Sequence, residues 1–290
     1  MKKLIIPFIL FTLMVSAQSG AQVTLIWEND SISRTPESVV YDNIRKCCYF
    51  SNFNRSPKNG MTYNEDYVSK INLKGELLER KMVSNLTSPT GLCLFKNKLY
   101  IVERFGIVKY DLKQDKVDTR YRINTTKFLN DVAVDSSENI YVTVSDTNII
   151  YRIKETEVQK WLESDQIFNP NGIIFDGDRI IVGVCRDNTL KSITITDKKI
   201  STIATLGTEP GVIDGIKKYG DDYFVGHYEG LIYLVHKNGE FTEVLNTKKN
   251  GIYCADFEYI NDQQLFVIPA LYNNKILLYK YEPDKKSNQH

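Results

Sequence analysis

Beyond residue 21 the chain is a succession of short apolar runs separated by polar turns. Most runs are short and rich in β-branched and aromatic residues, with turn residues such as Gly, Asn and Asp between them. That is the pattern of half-buried strands, not of helices. The runs also recur. Six segments align, beginning with ESVVYD at 37, TGLCLF at 90, NDVAVD at 130, NGIIFD at 171, DGIKKYG at 214 and ADFEYI at 255, so the intervals are 53, 40, 41, 43 and 41. Each is followed by a second apolar run (CCYFSNF, KLYIVERF, NIYVTVS, RIIVGVC, DYFVGHY, QLFVIPAL) and then a third. Most units add a fourth, more polar run such as KVDTRYRI or FTEVLN.

Four strands per unit at a period near 41 predict an all-β, six-bladed β-propeller. The last unit lacks a fourth strand before the polar tail EPDKKSNQH, while VTLIWE at 23–28 is spare. The spare segment is expected to supply the missing strand and close the ring, which removes exposed sheet edges. A pair of β-sandwiches need not keep one period, and a TIM barrel needs amphipathic helices that are absent. KETEVQKWLESD is a modest helix candidate, but it falls where an outer strand or its loop belongs. The long first interval implies an inserted loop at 54–66. The expected organisation is a leader at 1–21, a propeller at 22–282 and a polar tail at 283–290.

Composition sharpens this picture. Tyr 18 and Phe 13 against Met 4 favour strands. Lys plus Arg 37 against Asp plus Glu 36 gives +1; without Lys2 and Lys3 the balance is 35 against 36, or −1. There is no positive case for nucleic-acid binding, which needs concentrated cationic surface. The N-terminus combines Lys2 and Lys3, the apolar LIIPFILFTLMV and small residues up to Ala17 or Ala21. It reads as a cleaved secretory signal, so the protein is expected in the periplasm or outside the cell. No later stretch is apolar enough to span a membrane. Cys47, Cys48, Cys93, Cys185 and Cys254 fit no zinc spacing and read as buried small hydrophobes. Cys47 and Cys48 are expected on opposite faces of one strand.

The first residues of the six units are Glu37, Thr90, Asn130, Asn171, Asp214 and Ala255. In a propeller these inner ends converge on the axis. Glu37, Asn130, Asn171 and Asp214 there offer carboxylate and amide oxygens, the ligand set of a hard divalent cation. Asn171-Gly172 and Asp214-Gly215 are also ordinary turn dipeptides, and a polar, water-filled channel is the plainer alternative.

These segments resemble the six-bladed gluconolactonase, regucalcin and senescence-marker-protein family, and more distantly strictosidine-synthase-like and NHL-repeat propellers. The resemblance spans about residues 35 to 280. The family's Glu-Gly-Pro start falls on Glu37-Ser38-Val39, its Arg-x-Asn-Asp on Phe128-Leu129-Asn130-Asp131, its Asn-Gly on Asn171-Gly172 and its Asp-Gly on Asp214-Gly215. It implies that Glu37, Asn171 and Asp214 bind a divalent metal, Ca²⁺ or alternatively Zn²⁺ or Mn²⁺, and that Asn130 contacts a small-molecule substrate in the central channel. The implied chemistry is hydrolysis of a small lactone or ester. The metal polarises the carbonyl, Asn130 orients it through its amide, and Asp214 is the candidate base for water. The Gly and Pro after the glutamate are missing, and Phe128 replaces a substrate-binding arginine, which favours a more apolar ligand. Glu103, Arg186 and His227 end second strands and are further candidate substrate contacts, with Arg104, Asp187 and Tyr272 near the same rim. The rival reading is a non-catalytic propeller that binds a peptide, a glycan or an exported protein.

Overall fold

The structure, a computed structural model, describes residues 20–53, 65–207 and 213–284. Most of the expected leader, inserted loop and tail lie outside the described residues. The chain forms six four-stranded antiparallel sheets, the blades of a closed propeller. Their innermost strands are Pro36–Asp42, Leu92–Phe95, Phe128–Val134, Pro170–Asp176, Ile213–Tyr219 and Glu258–Ile260. Every unit start inferred from the period lies in, or within three residues of, one of these strands.

Burial falls off outward along each blade. All of Cys47–Asn52, the second strand of blade 1, is buried, whereas Lys116–Arg122 at the edge of blade 2 is exposed or half-buried throughout. The helix candidate is the outer strand Glu157–Glu163 of blade 3, and its Trp161 packs edge-on against Tyr141 at 5.1 Å. Tertiary packing of one strand face outweighs local helix propensity there.

The core is divided among the blade interfaces. Tyr49 and Val68 of blade 1 meet Leu99 and Ile101 of blade 2; Tyr141 of blade 3 meets Ile180 and Val182 of blade 4; Phe224 of blade 5 meets Phe266 of blade 6. Each large side chain so buried contributes about 1.5–3 kcal/mol. Cys47 faces blade 2 and Cys48 faces blade 6, as strand alternation requires. All five cysteines are free thiols.

The aspartate that ends several inner strands has a repeated use. Asp42 Oδ1 accepts the Ile44 and Arg45 amides, and Asp135 Oδ1 accepts those of Ser137 and Asn139. Their second oxygens accept the phenols of Tyr49 and Tyr141 from the next strand, at 3.1 and 3.2 Å. Part of the tyrosine excess is thus turn chemistry: each buried phenol finds a carboxylate that also organises the hairpin.

The N-terminal strand Gln22–Asn29 pairs antiparallel with Lys275–Glu282 and completes blade 6. It also latches onto blade 1. Trp27 Nε1 donates to the Leu73 carbonyl at 2.9 Å, and Asn29 Nδ2 donates to that of Gly75 at 3.0 Å. Gly75 has φ +80°, and a Cβ there would meet the Trp27 ring at 3.1 Å, so glycine suits both the turn and the contact. No helix among the described residues is long and apolar enough to cross a membrane.

Candidate active site in the central channel

Four blades share one irregularity. Pairing between the inner and second strands slips between Pro36 and Val39, Leu129 and Val132, Pro170 and Ile173, and Ile213 and Ile216. The slips contain Glu37, Asn130, Asn171 and Asp214, each at the first position. A β-bulge re-aims a side chain out of the regular alternation. Here the four re-aimed side chains line one cavity of about 230 Å³, together with Thr35, Phe53, Phe128, Tyr228, Leu271 and Tyr272.

The glycines after two of these residues serve close packing at the axis. A Cβ on Gly172 would lie 1.8 Å from the Asp214 carbonyl oxygen, and one on Gly215 would lie 2.4 Å from Asp256 Oδ1. Asn171-Gly172 and Asp214-Gly215 are therefore strand positions of converging blades, not turns.

Glu37, Asn130, Asn171 and Asp214 are all buried. Glu37 Oε2, Asn130 Oδ1 and Asn171 Oδ1 have no hydrogen-bond partner. Such oxygens carry a real desolvation cost unless a ligand completes them. Their orientation is fixed from behind. Asn130 Nδ2 donates to Ser145 Oγ at 2.8 Å, so its carbonyl oxygen is the atom left to the cavity. Asn171 hydrogen-bonds the Cys185 thiol, which in turn contacts the Ile213 carbonyl at 3.6 Å. Asn130 thus presents an acceptor rather than the amide donor expected for holding a carbonyl. Ser145 escaped sequence reading, and Cys185 was read only as a buried small hydrophobe, which it is, because neither signals its contact apart from its neighbour.

The electrostatics point the same way. Burial, and then the Asp214 carboxylate, push Glu37 well above the usual carboxylate range. Burial, and then Asp256 and Asp131, push Asp214 up as well. Deeper in the channel Lys217 Nζ lies 3.4 Å from Asp256 Oδ1. Ser38 donates to the second Asp256 oxygen at 2.6 Å, and Asp131 accepts the Val132 and Ile173 amides at 2.8 and 2.9 Å. This lower layer was missed, although Ser38, Asp131 and Asp256 follow aligned unit starts by one residue. A second cavity of about 320 Å³, lined in part by Asp131, Lys217 and Glu258, opens beside it.

Among the described residues no group of three or more His, Cys, Asp or Glu is placed to hold a metal ion. The axial set is of another kind, two carboxylates with two amide oxygens. Its unpartnered buried acceptors and mutually repelling acids fit a hard cation, which takes oxygen ligands of both types.

Of the other candidates, Phe128 and Tyr272 line the cavity, and Glu103, Arg186 and His227 do not. Glu103 receives Arg120 at 2.7 Å and the Thr87 amide at 3.2 Å. Arg186 lies over the Phe168 ring at 5.1 Å. His227 Nδ1 accepts the Glu229 amide at 3.3 Å, and burial lowers its pKa, keeping the ring neutral at pH 7. Glu103 and His227 end second strands and Arg186 lies just past one, each engaged with residues of a neighbouring strand or loop. Arg104 contacts the Thr126 carbonyl at 3.3 Å, and Asp187 pairs with Lys191 at 3.0 Å.

The whole-chain architecture recurs in known structures. A catalytically inactive variant of virginiamycin B lyase from Staphylococcus aureus, with quinupristin, superposes with a TM-score of 0.63 at 15% identity, covering 90% of this chain and 99% of that one. A streptogramin B lyase gives 0.65 at 12%, covering 90% and 98%. The computationally designed Ika8 protein gives 0.51 at 10%, covering 84% and 70%. No protein-family model and no curated protein matches the sequence. The likeness is therefore one of fold: a six-bladed propeller of a kind that also serves enzymes, and not specifically the gluconolactonase and regucalcin type.

Proposed function

We propose that the protein is a divalent-cation-dependent hydrolase of a small lactone or ester. The observation that carries this reading is that Glu37, Asn130 and Asn171, each with an unpartnered buried oxygen, line one cavity together with Asp214. Glu37, Asn130, Asn171 and Asp214 would hold the cation, with Ca²⁺ the best match to all-oxygen donors of mixed charge. When bound, the cation supplies Lewis-acid polarisation of a substrate carbonyl and stabilisation of the developing oxyanion.

The chain's own residues divide the remaining work. Asn130, with its nitrogen committed to Ser145, accepts a hydrogen bond from an attacking water or binds the cation. Asp214 takes the proton of that water as its oxygen bonds to the carbonyl carbon. The ring or ester C–O bond then breaks, and the departing oxygen takes the proton back, leaving a hydroxy acid or an acid and an alcohol. Phe53, Phe128 and Tyr228 exclude bulk water from the reacting centre.

Fold neighbours include lyases, which break bonds by elimination without adding water, and the test separates the two chemistries. Purified protein is assayed with Ca²⁺, Zn²⁺ or Mn²⁺ on lactones and aryl esters in H₂¹⁸O. Hydrolysis places one ¹⁸O in the product carboxylate. Glu37→Gln and Asp214→Ala are expected to lose cation binding and at least about 100-fold in kcat/KM, about 2.7 kcal/mol. Turnover that persists undiminished in both variants, or product free of ¹⁸O, sinks the assignment. A protein that holds no divalent ion and turns over nothing is the binding module instead.

A further inference from the structure

The half of the cavity away from the oxygens is built from rings supplied by four blades. Phe53 follows the second strand of blade 1, Phe128 opens the inner strand of blade 3, Tyr228 follows the second strand of blade 5, and Tyr272 lies between the last strands of blade 6. They fall into two walls. Phe53 and Phe128 stack, with centroids 6.2 Å apart and planes at 24°. Tyr228 and Tyr272 meet edge-on at 5.9 Å and 88°, braced by Tyr253, which is 5.5 Å from the first and 5.4 Å from the second. Blade 3 lies across the ring from blade 6, and blades 1 and 3 flank blade 2, which lies across from blade 5, so the two aromatic pairs line different sides of the cavity, although blade 1 itself adjoins blade 6. Tyr272 is 62% exposed while Glu37 is 8% exposed, so the tyrosine wall marks the mouth and the oxygens the inner end.

Among the described residues the lining carries no positively charged side chain; its formal charges are the two carboxylates, Glu37 and Asp214. No cationic side chain of that lining pairs a carboxylate or phosphate on the ligand, and a divalent ion held by Glu37 and Asp214 would have its charge offset by theirs. A polyhydroxylated ring would bury hydroxyls against faces that accept no full hydrogen bond. Aromatic faces reward a flat ring, by about 0.5–1.5 kcal/mol for each well-placed pair beyond the area buried. A 150 Å³ apolar cavity holds benzene, so about 230 Å³ suits a single ring or a fused pair and is too small to enclose a macrocycle.

We infer that the site selects an uncharged ester or lactone joined to an aromatic ring, the ring held between the Phe53–Phe128 and Tyr228–Tyr272 walls and the carbonyl directed to the axial oxygens. The inference rests on the hydrolase reading for its chemistry, while its ring recognition stands on the walls alone. The bond changes are those of hydrolysis already given, with water as the co-reactant.

Binding of unreactive lactams tests ring recognition separately from turnover. Calorimetry on the Ca²⁺-loaded protein compares 3,4-dihydroquinolin-2-one, its fully saturated bicyclic counterpart and δ-valerolactam. The aromatic lactam is expected to bind at least tenfold tighter than δ-valerolactam and at least threefold tighter than the saturated bicycle. Phe128→Leu and Tyr228→Leu, which keep the bulk without the ring, are expected to remove the threefold preference. Equal binding of the aromatic and saturated bicycles overturns the inference. So does tighter binding of tetramethylammonium to the cation-free protein, which would make the walls a cage for an organic cation. Hydrolysis of dihydrocoumarin is measured in parallel. Lactam preference without turnover preserves the walls and removes the hydrolase; turnover of δ-valerolactone without lactam preference does the reverse.

Discussion

At the scale of single residues, the site depends on which end of each asparagine faces the axis. Asn171 is held by a thiol: its amide hydrogen-bonds Cys185, and the oxygen is left unpartnered toward the cavity. Outer-shell partners of this kind typically set 10–100-fold in metal affinity. Cys185→Ala is therefore expected to weaken Ca²⁺ binding about 10-fold or more by calorimetry, and Cys185→Ser to restore most of it. An effect of equal size in both variants would assign Cys185 to packing alone. A second expectation concerns pH. Glu37 and Asp214 bind protons more tightly in the folded chain than in the unfolded one, because burial and neighbouring acids raise both. The stability they contribute is thus fully present below the ordinary carboxylate range, near about 4, and is lost as pH rises through the raised values. In EDTA, the melting temperature should fall from pH 5 to pH 8 more steeply in the wild type than in Glu37→Gln/Asp214→Asn. Saturating Ca²⁺ should flatten the wild-type slope; an unchanged slope would mean that these acids do not meet the ion.

At the scale of the strand, the bulge is the device that makes a site out of a repeat. A regular inner strand would send alternate side chains into the blade interfaces. The slip at Glu37, Asn130, Asn171 and Asp214 frees one side chain per blade for the axis. The cost is crowding, which glycine absorbs. Gly172→Ala would press a methyl against the Asp214 carbonyl, at 1.8 Å in the unrelaxed backbone. It is expected to cost about 3 kcal/mol or more by urea unfolding and to weaken Ca²⁺ binding by displacing Asp214. At Gly177 no atom lies within 4 Å and only the positive φ of +67° opposes a side chain, so Gly177→Ala should cost about 1 kcal/mol and spare the site. Strand register explains how much was legible in the sequence. Period and composition mark each strand, because every blade repeats the same burial profile. The four axial oxygens follow from alignment, because bulges recur at the same place in each unit. The aromatic walls do so only in part: Phe53 and Tyr228 share a register, each the first residue past a second strand, but Phe128 opens an inner strand and Tyr272 lies one residue further on in its blade. Glu103, Arg186 and His227 looked equivalent to one another in sequence, yet none of the three lines the cavity, whereas the residue after His227, Tyr228, does.

At the scale of the whole molecule, closure concentrates charge. Six inner strands meet on one axis, so a near-neutral chain brings Glu37, Asp214, Asp131, Asp256 and Glu258 together with Lys217 in its channel. The two layers solve this differently. Glu37 keeps an unpartnered oxygen, and both upper acids line a cavity, as a site for an exchangeable ion would. The lower acids are satisfied: Asp256 by Ser38, the Phe257 amide and Lys217, Glu258 by the Tyr41 and Tyr259 amides, and Asp131 by the Val132 and Ile173 amides. Lys217 therefore acts as a built-in cation that leaves the upper layer alone in need of an external one. Removing one partner of a buried ion pair typically costs about 3–5 kcal/mol, so Lys217→Met should destabilise the ring by about that much at pH 8. The sign of its pH dependence follows from the charges left behind. Without the ammonium, which lowers the pKa of both, Asp131 and Glu258 bind protons more tightly in the folded state, so the deficit should shrink as pH falls toward 5. Adding Asp256→Asn should recover part of the loss, giving a coupling energy of about 1–3 kcal/mol in a double-mutant cycle. Additive losses in that cycle would show that Lys217 stabilises the channel through its methylene stem rather than through its charge.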